Sequence, residues 1–151
     1  MKQAAAPTGL SINVVTAFAF ALNAGMYIAA AYYHPVLAGG IVVSVSMMLC
    51  YFFWAPGEYE LNDDELTVFF RVGRLRYPRV VKCSRYESKP GFGLRLFGNG
   101  GLFAGSGIFW STNLGIFRAY VTTSRPGTMV MVETADRKVL ISPADPQAFK
   151  L

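Results

Sequence analysis

Charge is what the first part of this sequence lacks. After Lys2 the next ionised side chain is Glu58, so 55 consecutive residues, 3–57, hold no Asp, Glu, Lys or Arg. With only 15% charged residues and a mean hydropathy of +0.35, the 151-residue chain is too apolar for an ordinary soluble domain. Histidine is nearly missing as well: His34 stands alone, with no carboxylate or cysteine beside it, and reads as an interfacial polar residue rather than a ligand or base. The two cysteines, Cys50 and Cys83, form no C-x-x-C pair, which removes a zinc ribbon, a redox dithiol and a disulfide framework. Ser106 lies between Gly105 and Gly107, but Ala104 and Ile108 stand where a nucleophile elbow needs glycines. There is no G-x-x-x-x-G-K-[ST], and no G-x-G-x-x-G opens a helix. Without a nucleophile, acid/base pair, metal set or phosphate cradle, the chain is expected to be no enzyme and to need no cofactor.

The uncharged segment is long enough to cross a bilayer twice. Residues 10–33 would make a helix roughly 36 Å long and residues 36–54 one of roughly 28 Å, against a hydrocarbon core of about 30 Å. Tyr32-Tyr33-His34-Pro35 supplies the break, and Tyr51-Phe52-Phe53-Trp54 with Pro56-Gly57 supplies an aromatic belt and a stop. The turn carries no base, whereas Lys2 precedes the first span and Arg71, Arg74 and Arg76 follow the second. Both termini are therefore expected on the cytosolic side. A cleaved secretory signal over about residues 1–31 is the competing reading, disfavoured by its length and by the second span behind it. Ala17, Ala21, Gly25 and Ala29 recur every four residues, and Gly40 and Ser44 repeat that spacing in the second span, so these are candidate packing positions. Beside that row, Asn13, Thr16, Asn23 and Tyr27 form a polar stripe within about 80° of the helix wheel. It serves as hydrogen-bonding glue between helices or as an intramembrane partner site.

From residue 58 onward the chain changes character. It carries 13 of the 14 bases and all nine acids, in short β-prone runs between turn signals. Strands are expected at 58–61, 66–71, 74–77, 80–86, 116–123, 128–134 and 138–141, the last three as an antiparallel meander. Residues 89–115 form a glycine-rich, aromatic stretch. It reads either as strand, loop and strand covering the core, or as a loop whose Phe97, Phe103, Phe109 and Trp110 dip into the bilayer interface. After Ser142, residues 146–151 are expected to form a short helix capped by Asp145 or Ser142.

Two stretches resemble a known family. Arg118-Ala119-Tyr120-Val121-Thr122 and the run from Lys138-Val139-Leu140-Ile141-Ser142-Pro143 to Asp145-Pro146-Gln147-Ala148-Phe149 are similar to the C-terminal signature of bacterial pleckstrin-homology-like (PH-like) proteins. Leu94-Arg95-Leu96-Phe97-Gly98-Asn99-Gly100-Gly101 is similar to the segment that precedes it. The resemblance implies, for residues 58–151, a mainly-β PH-like domain of two orthogonal antiparallel sheets capped by a C-terminal helix. Ahead of it, residues 1–57 form a membrane α-helical hairpin, an arrangement familiar in such proteins, and no enzyme activity is implied.

The expected function is a non-catalytic interaction module or accessory subunit on the cytosolic face of a bacterial inner membrane, crossing it more than once. Its partners would be membrane lipids and a protein or a second copy, with no nucleic acid. An anionic-lipid sensor is the alternative. Arg71, Arg74, Arg76, Arg79, Lys82, Arg85, Lys89 and Arg95 put eight bases in 25 residues against Glu87 alone, and a base near an anionic leaflet gains about 1 kcal/mol. The acids Glu58, Glu60, Asp63, Asp64 and Glu65 lack the spacing of a calcium loop and read as a solvated turn.

Overall fold

Two long helices stand on a β structure into which both of their outer ends are woven. The computed structural model describes residues 1–33, 36–87, 93–125 and 127–149; the expected turn at His34-Pro35, the start of the glycine-rich stretch and the last two residues lie outside these. The chain runs β1 (Lys2–Ala4), α1 (Leu10–Tyr33), α2 (Val36–Phe53), β2 (Pro56–Asn62), β3 (Glu65–Phe70), β4 (Arg74–Tyr77), β5 (Val80–Tyr86) and β6 (Gly93–Gly100). β7 (Gly105–Ser111), β8 (Gly115–Val121), β9 (Met129–Thr134) and β10 (Lys138–Ile141) complete it.

Helix α1 starts as Asn13 N–H donates to the Gly9 carbonyl (3.1 Å), and α2 ends with Trp54 N–H on Cys50 O (3.0 Å) before Pro56 withdraws a donor. Among the described residues one helix, over Leu10–Ala30, is long and apolar enough to cross a membrane, and only 6% of its most apolar window is buried, the reverse of a core helix. The helices meet where the Asn23 amide donates to Ala19 O (2.9 Å) and lies 3.2 Å from Met48 Sδ, and where Gly40 admits the tip of Met26.

The first sheet has the order β1-β2-β3-β4 and the second β5-β9-β10-β8-β7-β6. Tyr59, Leu61, Leu66, Val68 and Tyr77 from the first meet Val130, Val132, Val139, Ile141 and Tyr120 from the second in the main core. Period-two alternation explains this, since in β4 Leu75 and Tyr77 turn inward while Arg74 and Arg76 turn to water.

Three features depart from expectation. The N-terminus is itself a strand: Lys2 pairs with Glu60, Gln3 with Tyr59 and Ala4 with Glu58, and the Lys2 ammonium lies 2.8 Å from the Glu58 carboxylate. The path then runs along the domain, with Ala6 N–H on Ser142 O (2.8 Å) and Gly9 N–H on Thr122 O (2.9 Å), straight into α1. Secondly, the last three strands are no antiparallel meander. β10 inserts between β8 and β9, parallel to β8 with Leu140 opposite Ala119, so the sheets are not purely antiparallel. The link from β8 to β9 is long enough to leave room for a strand, and Val139, Leu140 and Ile141, all buried, need neighbours on both sides. Thirdly, the expected C-terminal helix is absent among the described residues: residues 146–148 form a turn. Asp145 does cap it, accepting from Gln147 N–H (2.9 Å), but so short a segment cannot offset helix nucleation. Phe149, buried in the main core, closes the end of the sheets instead.

Residues 93–111 of the glycine-rich stretch form a tight hairpin. Its strands approach at Gly98 (φ +105°) and Gly107 (φ +147°), where a Cβ on Gly98 would stand 2.3 Å from Ser106 O and one on Gly107 2.2 Å from Phe97 O. Only glycine fits both positions. Gly98→Ala or Gly107→Ala should therefore destabilise the protein by about 2–3 kcal/mol in thermal or denaturant melts, whereas Gly57→Ala, which meets open space, should change the midpoint little.

Candidate functional site

The larger sheet reaches past the smaller one. Among the described residues the main core draws on β5, β9, β10 and β8 but on neither β6 nor β7. Register carries the inner row outward from Tyr120 to Ser106 and on to Asn99, and from Arg118 to Ile108 and on to Phe97. The last turn of α2 faces this overhang, and a groove of about 660 Å³ lies between them. Cys50, Tyr51 and Trp54 form its helix side, and Arg95, Phe97 and Ser106 part of its strand side.

Aromatic contacts fix the geometry. Trp54 packs on Phe70 (5.4 Å between ring centroids) and Phe70 on Tyr120 (5.5 Å). At the β6–β7 turn, Asn99 Oδ1 accepts from Gly101 N–H (3.2 Å) and Leu102 N–H (2.9 Å), which swings Phe103 out with φ +62°. Its ring stands edge-on to Phe20 of α1 (6.2 Å) and to Phe52 of α2 (5.4 Å), and its N–H donates to Thr16 Oγ1 (3.0 Å). Arg71 completes the stack, its guanidinium 3.8 Å from the centre of the Phe52 ring.

Behind the groove lies a buried phenol cluster. The Tyr59 hydroxyl donates to Tyr120 O (2.6 Å), Tyr77 and Tyr120 share a hydroxyl pair at 2.6 Å, and Arg118 Nη1 donates to the Tyr77 oxygen (3.2 Å). Burial pushes the Tyr59 and Tyr120 phenols well above their ordinary range, and the Tyr77 hydrogen bond holds Arg118 more firmly charged than usual. Burial alone raises the Cys83 thiol to about 11, leaving it inert at neutral pH.

The basic run is dispersed rather than gathered into one patch. Arg74 and Arg76 project from the outer side of β4, Arg76 facing Glu65 at 3.8 Å. Arg79 pairs with Asp136 at 3.0 Å, Arg85 donates to Gly127 O (3.0 Å), and Lys82 is exposed on β5. Arg71 and Arg95 are the two that lie beside the end of α2. Phe97 is 75% exposed and Trp110 36%, while Phe109 turns to the other side of the sheet and stacks on Phe117 (5.9 Å). In the helices, Asn23 and Gly40 meet the other helix and Ser44 is half-buried, whereas Ala17, Ala21 and Gly25 point outward and Ala29 is half-buried. Sequence reasoning missed Trp54 and Tyr51 as groove residues and the three tyrosines. An inward tyrosine on each of three predicted strands was the available signal.

The family model described as bacterial PH domain matches residues 57–151. The chain belongs to that family. No curated protein and no solved structure gives a match. PH domains are generally non-catalytic modules that bind lipids or proteins, and among the described residues of this PH domain no group of three or more His, Cys, Asp or Glu is placed to hold a metal ion.

The buried Tyr59 and Tyr120 phenol protons set an alkaline limit. Below about pH 10 folded and unfolded chains both hold these protons and the contribution to stability is constant. Above it the unfolded chain loses them while the folded PH domain keeps them, so stability falls with rising pH, by about 1.4 kcal/mol per pH unit for each tyrosine. Denaturant melts across that range should show this slope, and Tyr59→Phe should reduce it by one tyrosine's share.

Proposed function

We propose that this protein is a PH domain held on the cytosolic face of a bacterial inner membrane by a two-helix anchor, acting as a non-catalytic interaction module or accessory subunit. The observation that carries this reading is that an apolar, uncovered helix pair has both outer ends stitched into one sheet, through β1 and through β2. If α1 crosses the bilayer, α2 has to bring the chain back, because β1 and β2 share a ladder. This supports two crossings with both termini on one side, and the basic residues beyond α2 favour the cytosol. It also weighs against a cleaved signal, since cleavage near residues 29–31 would remove the edge strand of a finished sheet.

The outward row of Ala17, Ala21 and Gly25 suits a close approach by a helix of a partner or of a second copy. A membrane-lipid contact is the second reading, favoured by Arg71, Arg95 and the exposed Phe97 clustering beside Trp54 at the foot of the helices. Alkaline carbonate extraction of cell membranes should leave the full chain in the pellet, and periplasmic-activity reporters fused after Leu151 should stay silent. A chain recovered in the soluble fraction, or an active reporter, overturns the reading.

A further inference from the structure

The outer edge of β6 is open to a further strand. Among the described residues β6 ends the larger sheet, bonded to β7 on one side only, and Leu96, at the bulge, has no register partner even there. Arg95 to Asn99 line the groove beside α2 consecutively, as a strand does along its edge and not with one face. The groove therefore runs along β6, with Tyr51 and Trp54 of α2 as its far wall. An exposed edge is a template for pairing, which proteins guard with charges, proline, bulges or short strands. β6 is eight residues long and holds neither proline nor lysine. Arg95 and the bulge are its guards, against Leu94, Leu96 and Phe97, which are 53%, 55% and 75% exposed. By register, Leu94 and Phe97 lie on the face of Trp110 and Ile108, and Arg95 lies on the opposite face with Phe109. Arg95 has no carboxylate within ion-pair distance among the described residues.

We propose that β6 takes up an extended segment of another protein as a further strand, apolar on the side of Leu94 and Phe97 and carrying a carboxylate on the side of Arg95. The inference rests on the interaction-module reading above, to which it adds the surface and the partner's chemistry. The segment's main chain pairs with the open edge, and its alternate side chains divide between the aromatic wall of Tyr51 and Trp54 and the guanidinium. Charge selects the occupant. Every free edge of the two sheets bears a base: Lys2 on β1, Arg74 and Arg76 on β4, Lys82 and Arg85 on β5, and Arg95 on β6. A second copy offering any of these edges would bring a like charge toward Arg95, whereas an acidic strand sets an opposite charge across the new ladder.

The full chain is placed in phosphatidylcholine nanodiscs and mixed with synthetic eight-residue peptides that alternate valine with threonine and carry either glutamate or lysine at one central threonine position. Hydrogen exchange at the amides of residues 93–100 should slow as peptide is added. The glutamate peptide should bind about fivefold more tightly than the lysine peptide, the span between an opposite-charge and a like-charge cross-strand pair. Arg95→Glu should reverse that order, and Arg74→Glu, on the outer side of β4, should leave it unchanged. A glutamate peptide N-methylated at its valine and threonine amides keeps its side chains but not its donors, and should not bind. That control alters the peptide alone, so it holds even where Arg95→Glu disturbs the fold. Equal binding of the two charged peptides, binding of the methylated one, or no binding overturns the proposal. Exchange at 93–100 that slows with protein concentration in the absence of peptide assigns the edge to a second copy, and exchange slow in nanodiscs but fast in detergent assigns it to lipid; either result overturns it too. Carbonate extraction of a chain that still binds the glutamate peptide overturns the anchoring alone, and an embedded chain that takes no peptide overturns the edge alone.

Discussion

The three-residue ladder between β1 and β2 is the constraint on which the architecture depends. Without it α1 would leave the β domain through a free N-terminal tail, and the helix pair would hang from one connection at Trp54–Pro56. With it, the pair is held at two points, because Lys2, Gln3 and Ala4 lie in register with Glu60, Tyr59 and Glu58 and the following residues bond along Ser142 and Thr122 to Gly9. The stack of Arg71, Phe52, Phe103 and Phe20 then fixes the tilt between helices and sheets. Such edge-on ring contacts are worth about 0.5–1.5 kcal/mol each beyond the area they bury.

Much of the plan was legible because it rests on local period. Two uncharged runs of helix length became α1 and α2, and strands 74–77, 80–86 and 138–141 follow the alternation read from the sequence. What escaped has a common cause: it depends on partners far away in the chain. Lys2-Gln3-Ala4 has no pattern that marks a strand, and only Glu58–Glu60 makes it one. The place of β10 between β8 and β9 is decided by which neighbours cover three buried residues, not by the order in which the strands are made. The short C-terminal run carries a helix cap in Asp145, yet the burial of Phe149 outweighs local helical preference.

The same division holds for the site. Arg95 and Phe97 were singled out for charge and exposure, and both border the groove. Their partners Trp54 and Tyr51 were read as a membrane belt, which describes their chemistry but not what they face. Ser106 was dismissed as a nucleophile because its flanking pattern is wrong; that its hydroxyl is buried is set by the neighbouring strands. The eight-base run is dense in sequence, where strand alternation already divides it between two faces, and local partners of Arg76, Arg79 and Arg85 spread its described members further around the domain.

The edge ladder also imposes an order of events. Lys2 to Ala4 leave the ribosome before either helix, but their pairing partners in β2 are made only after both. The first strand therefore waits, unpaired, while everything between is synthesised. With the helices in a bilayer as proposed, β1 finds β2 only when the second helix has returned to the starting side. A chain that stalls after one crossing keeps an incomplete sheet, so the state of the sheet edge records whether insertion succeeded.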